Sequence, residues 1–153
     1  MLCIAALVWS AAVWLTPAAL ARDSRSFGSV AWFPYALGGL ICHQRPERSF
    51  STSAIPWPVC ARCAGLYLST AAGILVAFPV SAADWARSET WRRWRTALLF
   101  AAVPSVASWV LEAAGLWSST NGARALLAVP LGVVIGALIA SIARQSGPVA
   151  ART

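Results

Sequence analysis

Three of the four cysteines and the only histidine of this chain lie in one segment, residues 42–67. Cys60 and Cys63 form a Cys-x-x-Cys pair with both sulfurs on one turn, and Cys42 with His43 adds two ligands from an earlier position. Thiolate sulfur and imidazole nitrogen are the ligands that zinc takes in tetrahedral sites. The pattern therefore predicts a metal site, with zinc as the metal, formed by Cys42, His43, Cys60 and Cys63.

Two ligand sets are compatible with this spacing, because adjacent residues do not readily aim at the same ion. The first set is three sulfurs plus His43. The second is three sulfurs plus water or substrate, with His43 outside the metal's own ligands.

Redox chemistry is a second interpretation of the same residues. On an oxidising side of a membrane, Cys60 and Cys63 would form a reactive dithiol, Cys42 would resolve it, and the charge of Arg62 would lower the thiol pKa values. Membrane enzymes that pass electrons from thiols to quinone use two cysteine pairs, whereas the fourth cysteine here, Cys3, lies at the far end of the chain. A third interpretation is a structural or assembly subunit, so the sequence leaves open whether the protein is an enzyme.

The elements that must position these residues are apolar. The 153 residues are 59% hydrophobic and 11% charged, whereas soluble domains carry about 25% charged residues. Apolar stretches approach the roughly 20 residues that a bilayer-spanning helix needs, and they predict spans at 1–21, 64–80, 96–117 and 125–142. The third of these contains one carboxylate, Glu112, and the other three contain no charged residue. The expected fold is an all-α, polytopic membrane bundle of three or four spans, forming a single domain over residues 1–153.

Two stretches have alternatives. Residues 1–21 end in a small-x-small pattern typical of signal cleavage, but they lack a basic n-region, which favours a retained span. Residues 27–42 are interrupted by Pro34 and by the pair Gly38-Gly39. This stretch predicts a short interfacial or re-entrant helix and not a full span.

The tryptophans and arginines suit a membrane surface. Five of the nine tryptophans fall at or beyond predicted span ends, as in an interfacial aromatic belt: Trp57, Trp85, Trp91, Trp94 and Trp117. The net charge of +7 favours anionic lipid as a partner. No basic run with interleaved aromatics on a soluble domain is present, so no nucleic-acid partner is expected.

The arginines also predict an orientation. With four spans, the two sides of the membrane carry equal numbers of arginines. Four arginines on one side lie in the cysteine segment or at the start of the last span, so we expect them to serve a site and not the topology: Arg45, Arg48, Arg62 and Arg124. Without these four, the positive-inside rule places the loop at Arg92 in the cytoplasm. The Cys/His segment would then lie on the extracytoplasmic side of the cytoplasmic (inner) membrane.

Further candidates lie near that same surface. Glu112, close to the end of the third span, is either an acid/base group acting with His43 beside a metal-bound water or an ion-paired residue near a helix end. A fork-like site for an anionic headgroup is predicted from Arg45, Arg48, Arg62, Asn121 and Arg124. Its alternative is ordinary ion pairing with Glu47 and Glu112.

The last span carries two glycines at a spacing typical of helix packing. Gly132 and Gly136 predict a face for another helix, either within the chain or in a homo-oligomer or membrane-protein partner.

These motifs together resemble a known family. The block Cys-His-Gln-x-Pro-x-Arg-Ser-Phe at 42–50, followed by Val-Cys-Ala-Arg-Cys-Ala-Gly-Leu-Tyr at 59–67, is similar to the signature of the small prokaryotic integral membrane proteins called domain of unknown function 2085. The similarity extends from the first span to about Gly136. It implies a polytopic membrane protein with these cysteines and arginines as hallmarks and with no established activity.

The resemblance also implies two further polar positions. Relatives carry Asn-x-x-Arg before the last span, which Asn121 and Arg124 match. They also carry an acidic residue in the third span. In this chain, either Ser108 or Glu112 occupies the corresponding position.

Overall fold

A computed structural model describes residues 1–22, 24–77 and 90–145. In these ranges the helices are α1 (Leu2–Arg22), α2 (Ser24–Ile41), α3 (Ala61–Ala77), α4 (Thr90–Ala113) and α5 (Asn121–Gln145). A 3₁₀ turn (Pro46–Arg48) and a hairpin of strands β1 (Ser49–Thr52) and β2 (Ile55–Cys60) connect α2 to α3. The predicted helical class is confirmed, with one small sheet inserted in it.

Among the described residues, three helices are long and apolar enough to cross a membrane: Leu2–Arg22, Trp91–Ala113 and Asn121–Arg144. Large apolar side chains such as Leu99, Phe100 and Val103 on α4 are exposed, as expected for a surface that faces lipid. The 17 residues of α3 rise about 26 Å, less than the roughly 30 Å of a hydrocarbon core. The last residues of the predicted span 64–80 lie outside the described residues.

The third span ends earlier than its sequence predicted. We expected it to continue to residue 117, but α4 ends at Ala113 and Gly115 adopts a left-handed φ of 70°. The Gly115 N–H donates to the Glu112 carbonyl (3.1 Å) and the Leu116 N–H donates to the Leu111 carbonyl (3.0 Å). This pair of bonds is a Schellman cap, which stops the helix although the following residues are uncharged.

Helix α2 runs without interruption from Ser24 to Ile41, through Pro34 and both glycines. Gly38 serves packing and does not break the helix, because a Cβ atom there would collide with the Pro58 carbonyl oxygen of β2. Two side chains tie the same helix to β2. The Tyr35 hydroxyl donates to the Pro56 carbonyl (2.6 Å), and Gln44 Nε2 donates to the carbonyls of Tyr35 (2.6 Å) and Pro58 (2.7 Å).

The hairpin is an element that the sequence analysis did not predict. Its strands pair antiparallel, with an irregularity between Ser49 and Ser51. Its two turn residues, Ser53 and Ala54, adopt left-handed φ angles of 50° and 66°, which are the angles of a tight two-residue hairpin turn. Neither residue is the asparagine or glycine that usually marks such a turn. The Trp57 indole N–H stabilises the hairpin by donating to Thr52 Oγ1 (3.0 Å).

Small residues bring α3 and α5 into close parallel contact. Gly65 lies against Ala125, and Gly136 lies against Thr70. Gly132, next to Ser69, belongs to the same interface. The face predicted from Gly132 and Gly136 is therefore occupied by a helix of the same chain, and a partner molecule at these glycines stays a prediction.

Candidate metal centre

Three elements bring three sulfur atoms together at one end of the α3–α5 pair. Cys42 directly follows α2, Cys60 ends β2, and Cys63 lies in the first turn of α3. Their Sγ atoms all lie within 4.8 Å of one another, and the three residues are half-buried. In a tetrahedral zinc site with Zn–S bonds near 2.3 Å, the sulfurs are about 3.8 Å apart. Small side-chain movements would therefore suffice to enclose one ion.

The backbone and a small apolar core hold these sulfurs in place. The Cys60 N–H donates to Cys42 Sγ (3.2 Å), which joins the end of α2 to the end of β2. Val13 of α1, Val59 of β2 and Ala64 of α3 are fully buried beneath the sulfurs. Because Cys42 and Cys63 pack against this core, the position of the cluster depends on α1 as well as on its own elements.

Two of the thiols have altered acidity. A hydrogen bond with the Cys63 side chain lowers the pKa of Cys60, against the opposing effect of burial. The same hydrogen bond, followed by burial, raises the pKa of Cys63. The hydrogen bond thus favours loss of one proton from the pair. A thiolate is the form that binds metals and also the form that reacts as a nucleophile.

His43 is placed differently from the three cysteines. Its side chain is exposed, and its ring nitrogens are not among the ligand atoms that lie within 4.8 Å of one another. It borders the same cavity as the sulfurs instead.

A cavity of about 570 Å³ opens beside the sulfur cluster. All four arginines of the predicted anion site line it together with the three cysteines: Arg45, Arg48, Arg62 and Arg124. No aspartate or glutamate of the described part of the chain lines it. Arg45 and Arg48 are exposed, whereas the side chains of Arg62 and Arg124 are 20% and 13% exposed. The cavity thus has two deep and two outer guanidinium groups.

Behind the cavity, Glu112 holds the two deep arginines. Its side chain is 6% exposed, and its Oε1 lies 3.3 Å from Arg62 Nη2 and 3.2 Å from Arg124 Nε. The Ser119 hydroxyl also donates to Oε1. These contacts correspond to the ion-pairing alternative for Glu112. Glu112 does not line the sulfur cavity but borders a neighbouring one of about 430 Å³.

Asn121 positions one of these arginines. Its Oδ1 accepts a hydrogen bond from Arg124 Nη1 (2.9 Å), and its Nδ2 donates to the Ser49 carbonyl (2.9 Å). The start of α5 is thereby fastened to β1, and Asn121 itself does not line the cavity. Glu47, the other acid considered as an arginine partner, is exposed. Within residues 1–22, 24–77 and 90–145, it forms no ion pair with Arg45 or Arg48.

Sequence reasoning missed two residues that shape the site. Gln44 clamps α2 to β2 through the two carbonyl contacts described above, and its place in the Cys-His-Gln block was the available signal. Ser108 accepts a hydrogen bond from Arg62 Nη2 (3.2 Å) while its own hydroxyl donates to the Ser105 carbonyl (2.9 Å). It was considered only as an alternative to Glu112.

Comparisons with known proteins agree with a membrane protein. Residues 42–138 match the profile of a family described as "Predicted membrane protein (DUF2085)". An uncharacterized protein of Methanocaldococcus jannaschii is 30% identical over 124 residues, which cover 79% of this chain and 76% of the relative. An uncharacterized protein of Methanothermobacter thermautotrophicus is 50% identical over 38 residues, 25% of this chain and 34% of the relative. No solved structure shows a significant match.

The profile match begins at Cys42. It contains the sulfur cluster, the four arginines and Glu112. Helices α1 and α2 lie before it.

Proposed function

The chain belongs to the DUF2085 family of predicted membrane proteins, and we propose that Cys42, Cys60 and Cys63 of this member hold one zinc ion at the membrane surface. The observation that carries the proposal is the convergence of three sulfurs from three separate elements within 4.8 Å. Three soft thiolates favour zinc or iron over hard cations such as magnesium and calcium.

The proposed site has an open coordination position. Structural zinc sites use four protein ligands, whereas catalytic sites use three and leave the fourth position to water or substrate. His43 is exposed and lies outside the sulfur group, and a cavity adjoins the three cysteines. A fourth ligand would therefore come from this cavity, as water or as another molecule. In such a site the metal fixes the hairpin against α3 and is also accessible to a ligand.

The positive charge of the neighbouring arginines supports the zinc site. A zinc ion with three thiolates carries one net negative charge, and burying such a group away from counter-charges is unfavourable. Arg62 lies between Cys60 and Cys63 in sequence, and its side chain lines the same cavity. The arginines around the sulfurs thus supply the positive charge that a thiolate-rich metal site needs.

The distribution of arginines supports a location for the site. Arg92, which the sequence placed in a loop, lies in the first turn of α4. We place the protein in the cytoplasmic membrane with this start of α4 inside the cell and the sulfur cluster on the extracytoplasmic side.

Metal analysis by mass spectrometry on the detergent-purified full chain tests the zinc proposal. The variant Cys60→Ser, Cys63→Ser removes two ligands. Cys3→Ser is the matched control, because Cys3 lies beside Ile139 near the other end of α5. We expect about one zinc per chain in the wild type and in Cys3→Ser, and none in the double variant. Equal metal contents in all three proteins would refute the site.

A thiol-redox function is the second candidate, and the hydrogen-bonded pair of Cys60 and Cys63 favours it. In that reaction the two thiols lose two electrons and two protons to a quinone, which gives a disulfide and a quinol. Cys3 lies at the opposite end of the bundle, so it does not supply the second pair that thiol-to-quinone enzymes use. A metal-free protein with a Cys60–Cys63 disulfide that reductant opens and quinone restores would establish this function and exclude the zinc site.

A further inference from the structure

The cavity beside the sulfurs is strongly positive. Four guanidinium groups line it, and Glu112 lies behind two of them, Arg62 and Arg124, and is shared by both. One negative charge cannot neutralise two arginines. Arg45 and Arg48 form no ion pair within the described ranges, so they add two further unpaired guanidinium groups at the outer part of the cavity. Even with one negative charge on a zinc–thiolate centre, the four arginines outnumber the negative groups beside them.

One deep arginine also has unused donor capacity. Arg62 Nη2 contacts Glu112 and Ser108, but its Nε is buried and has no hydrogen-bond partner among the described residues. A buried N–H group without an acceptor is unfavourable. An anion oxygen beside Arg62 would satisfy it.

Two helix ends add to the positive charge of the cavity. Helix α3 begins at Ala61 and helix α5 begins at Asn121, and residues of the first turn of each, Arg62 and Arg124, line the cavity. The amino-terminal ends of helices carry partial positive charge and bind phosphate groups readily.

From these observations we infer that the cavity binds a phosphate group, held by Arg45, Arg48, Arg62 and Arg124. Arginine suits phosphate because its planar guanidinium forms two parallel hydrogen bonds to the oxygens. The phosphate belongs either to a lipid headgroup or to a free phosphate ion. The lipid source has support from the exposed apolar side chains of Leu40, Ile41 and Trp109, which line the same cavity. This inference goes beyond the zinc site and does not require the metal.

Calorimetric titration of the detergent-purified full chain tests the inference. Inorganic phosphate is one titrant, and mixed micelles with phosphatidic acid are the other, with diacylglycerol micelles as the phosphate-free comparison. The test variant is Arg45→Gln, Arg48→Gln, which removes two exposed residues. The matched variant is Arg92→Gln, Arg95→Gln, which makes the same change in net charge at two exposed positions of α4.

Loss of two charge-assisted contacts should weaken phosphate binding by about tenfold or more, and the matched variant should stay within about twofold of the wild type. Binding of phosphatidic acid alone identifies a lipid headgroup site, and binding of inorganic phosphate as well identifies a site for the group itself. Absence of binding to both titrants, or equal weakening in the two variants, would overturn the inference. Zinc content of the same samples is a separate readout, so failure of the metal site and failure of the phosphate site are distinguishable.

Discussion

Glu112→Gln is the substitution that most directly tests the charge cluster behind the cavity. The Glu112 side chain is 6% exposed and lies 3.3 Å from Arg62 and 3.2 Å from Arg124, which are 20% and 13% exposed. Glutamine has nearly the same shape and keeps an oxygen for Ser119. It removes the negative charge and turns one of the two oxygens that accept from Arg124 into an NH2 donor, so that two guanidinium groups face each other without a counter-ion.

The expected cost follows from this burial. Removing one partner of a buried ion pair costs about 3–5 kcal/mol, because the remaining charge stays desolvated. Exposed pairs contribute at most about 1 kcal/mol. Since both arginines retain some contact with water, we expect Glu112→Gln to lower the free energy of unfolding by about 3 kcal/mol.

Reversible unfolding in mixed micelles with increasing sodium dodecyl sulfate provides the assay. The fluorescence of the nine tryptophans reports the transition. Glu47→Gln is the matched control, because Glu47 is exposed and surface substitutions usually change stability by less than about 0.5 kcal/mol.

A second variant separates charge from shape. Adding Arg124→Gln to Glu112→Gln removes one of the two uncompensated charges, so the double variant should recover part of the lost stability. If Glu112→Gln costs no more than Glu47→Gln, the assignment of Glu112 as the buried counter-ion of two arginines is wrong.

Two further outcomes are expected. Gly38→Ala places a Cβ atom against the Pro58 carbonyl oxygen, so it should separate α2 from β2, destabilise the protein by about 1–3 kcal/mol and lower its zinc content. Gly122→Ala, where a Cβ atom meets only Thr120 Oγ1 at 4.0 Å, should not destabilise the protein or lower its zinc content. Equal effects of the two substitutions would contradict the packing argument. If the sulfurs lie outside the cell, a membrane-impermeant maleimide should label Cys60 in chelator-treated intact cells. Labelling only after permeabilisation would show that the sulfur cluster faces the cytoplasm.

Residue composition was sufficient to predict the membrane class. Uncharged stretches near the length of a bilayer span reveal a lipid-facing helix because every residue in the stretch must be compatible with hydrocarbon, whatever it packs against. The described part of the chain accordingly has three helices of spanning length and composition. The residue types at 42–67 were also sufficient to predict where metal or redox chemistry could occur, because the chemistry of a thiol is a property of the side chain itself.

Helix ends and the hairpin were harder to predict because they depend on contacts. The uncharged residues after Ala113 predicted a longer helix, and a hydrogen-bonded cap at Gly115 ended it. Gly38 was interpreted as a helix interruption, although it is the residue that lets β2 approach α2. The hairpin turn at Ser53 and Ala54 lacks the usual residues, and its strands are stabilised by partners outside the turn.

The sequence by itself determined the membrane setting, the helical class and the set of reactive side chains. Only the tertiary structure decided which of them meet. His43, adjacent to Cys42 in sequence, lies outside the sulfur group, while Glu112 joins two arginines from other helices. The physical reason is that residue type and hydropathy act along the chain, whereas a site requires side chains from separate elements to point at one volume, and helix packing sets those directions.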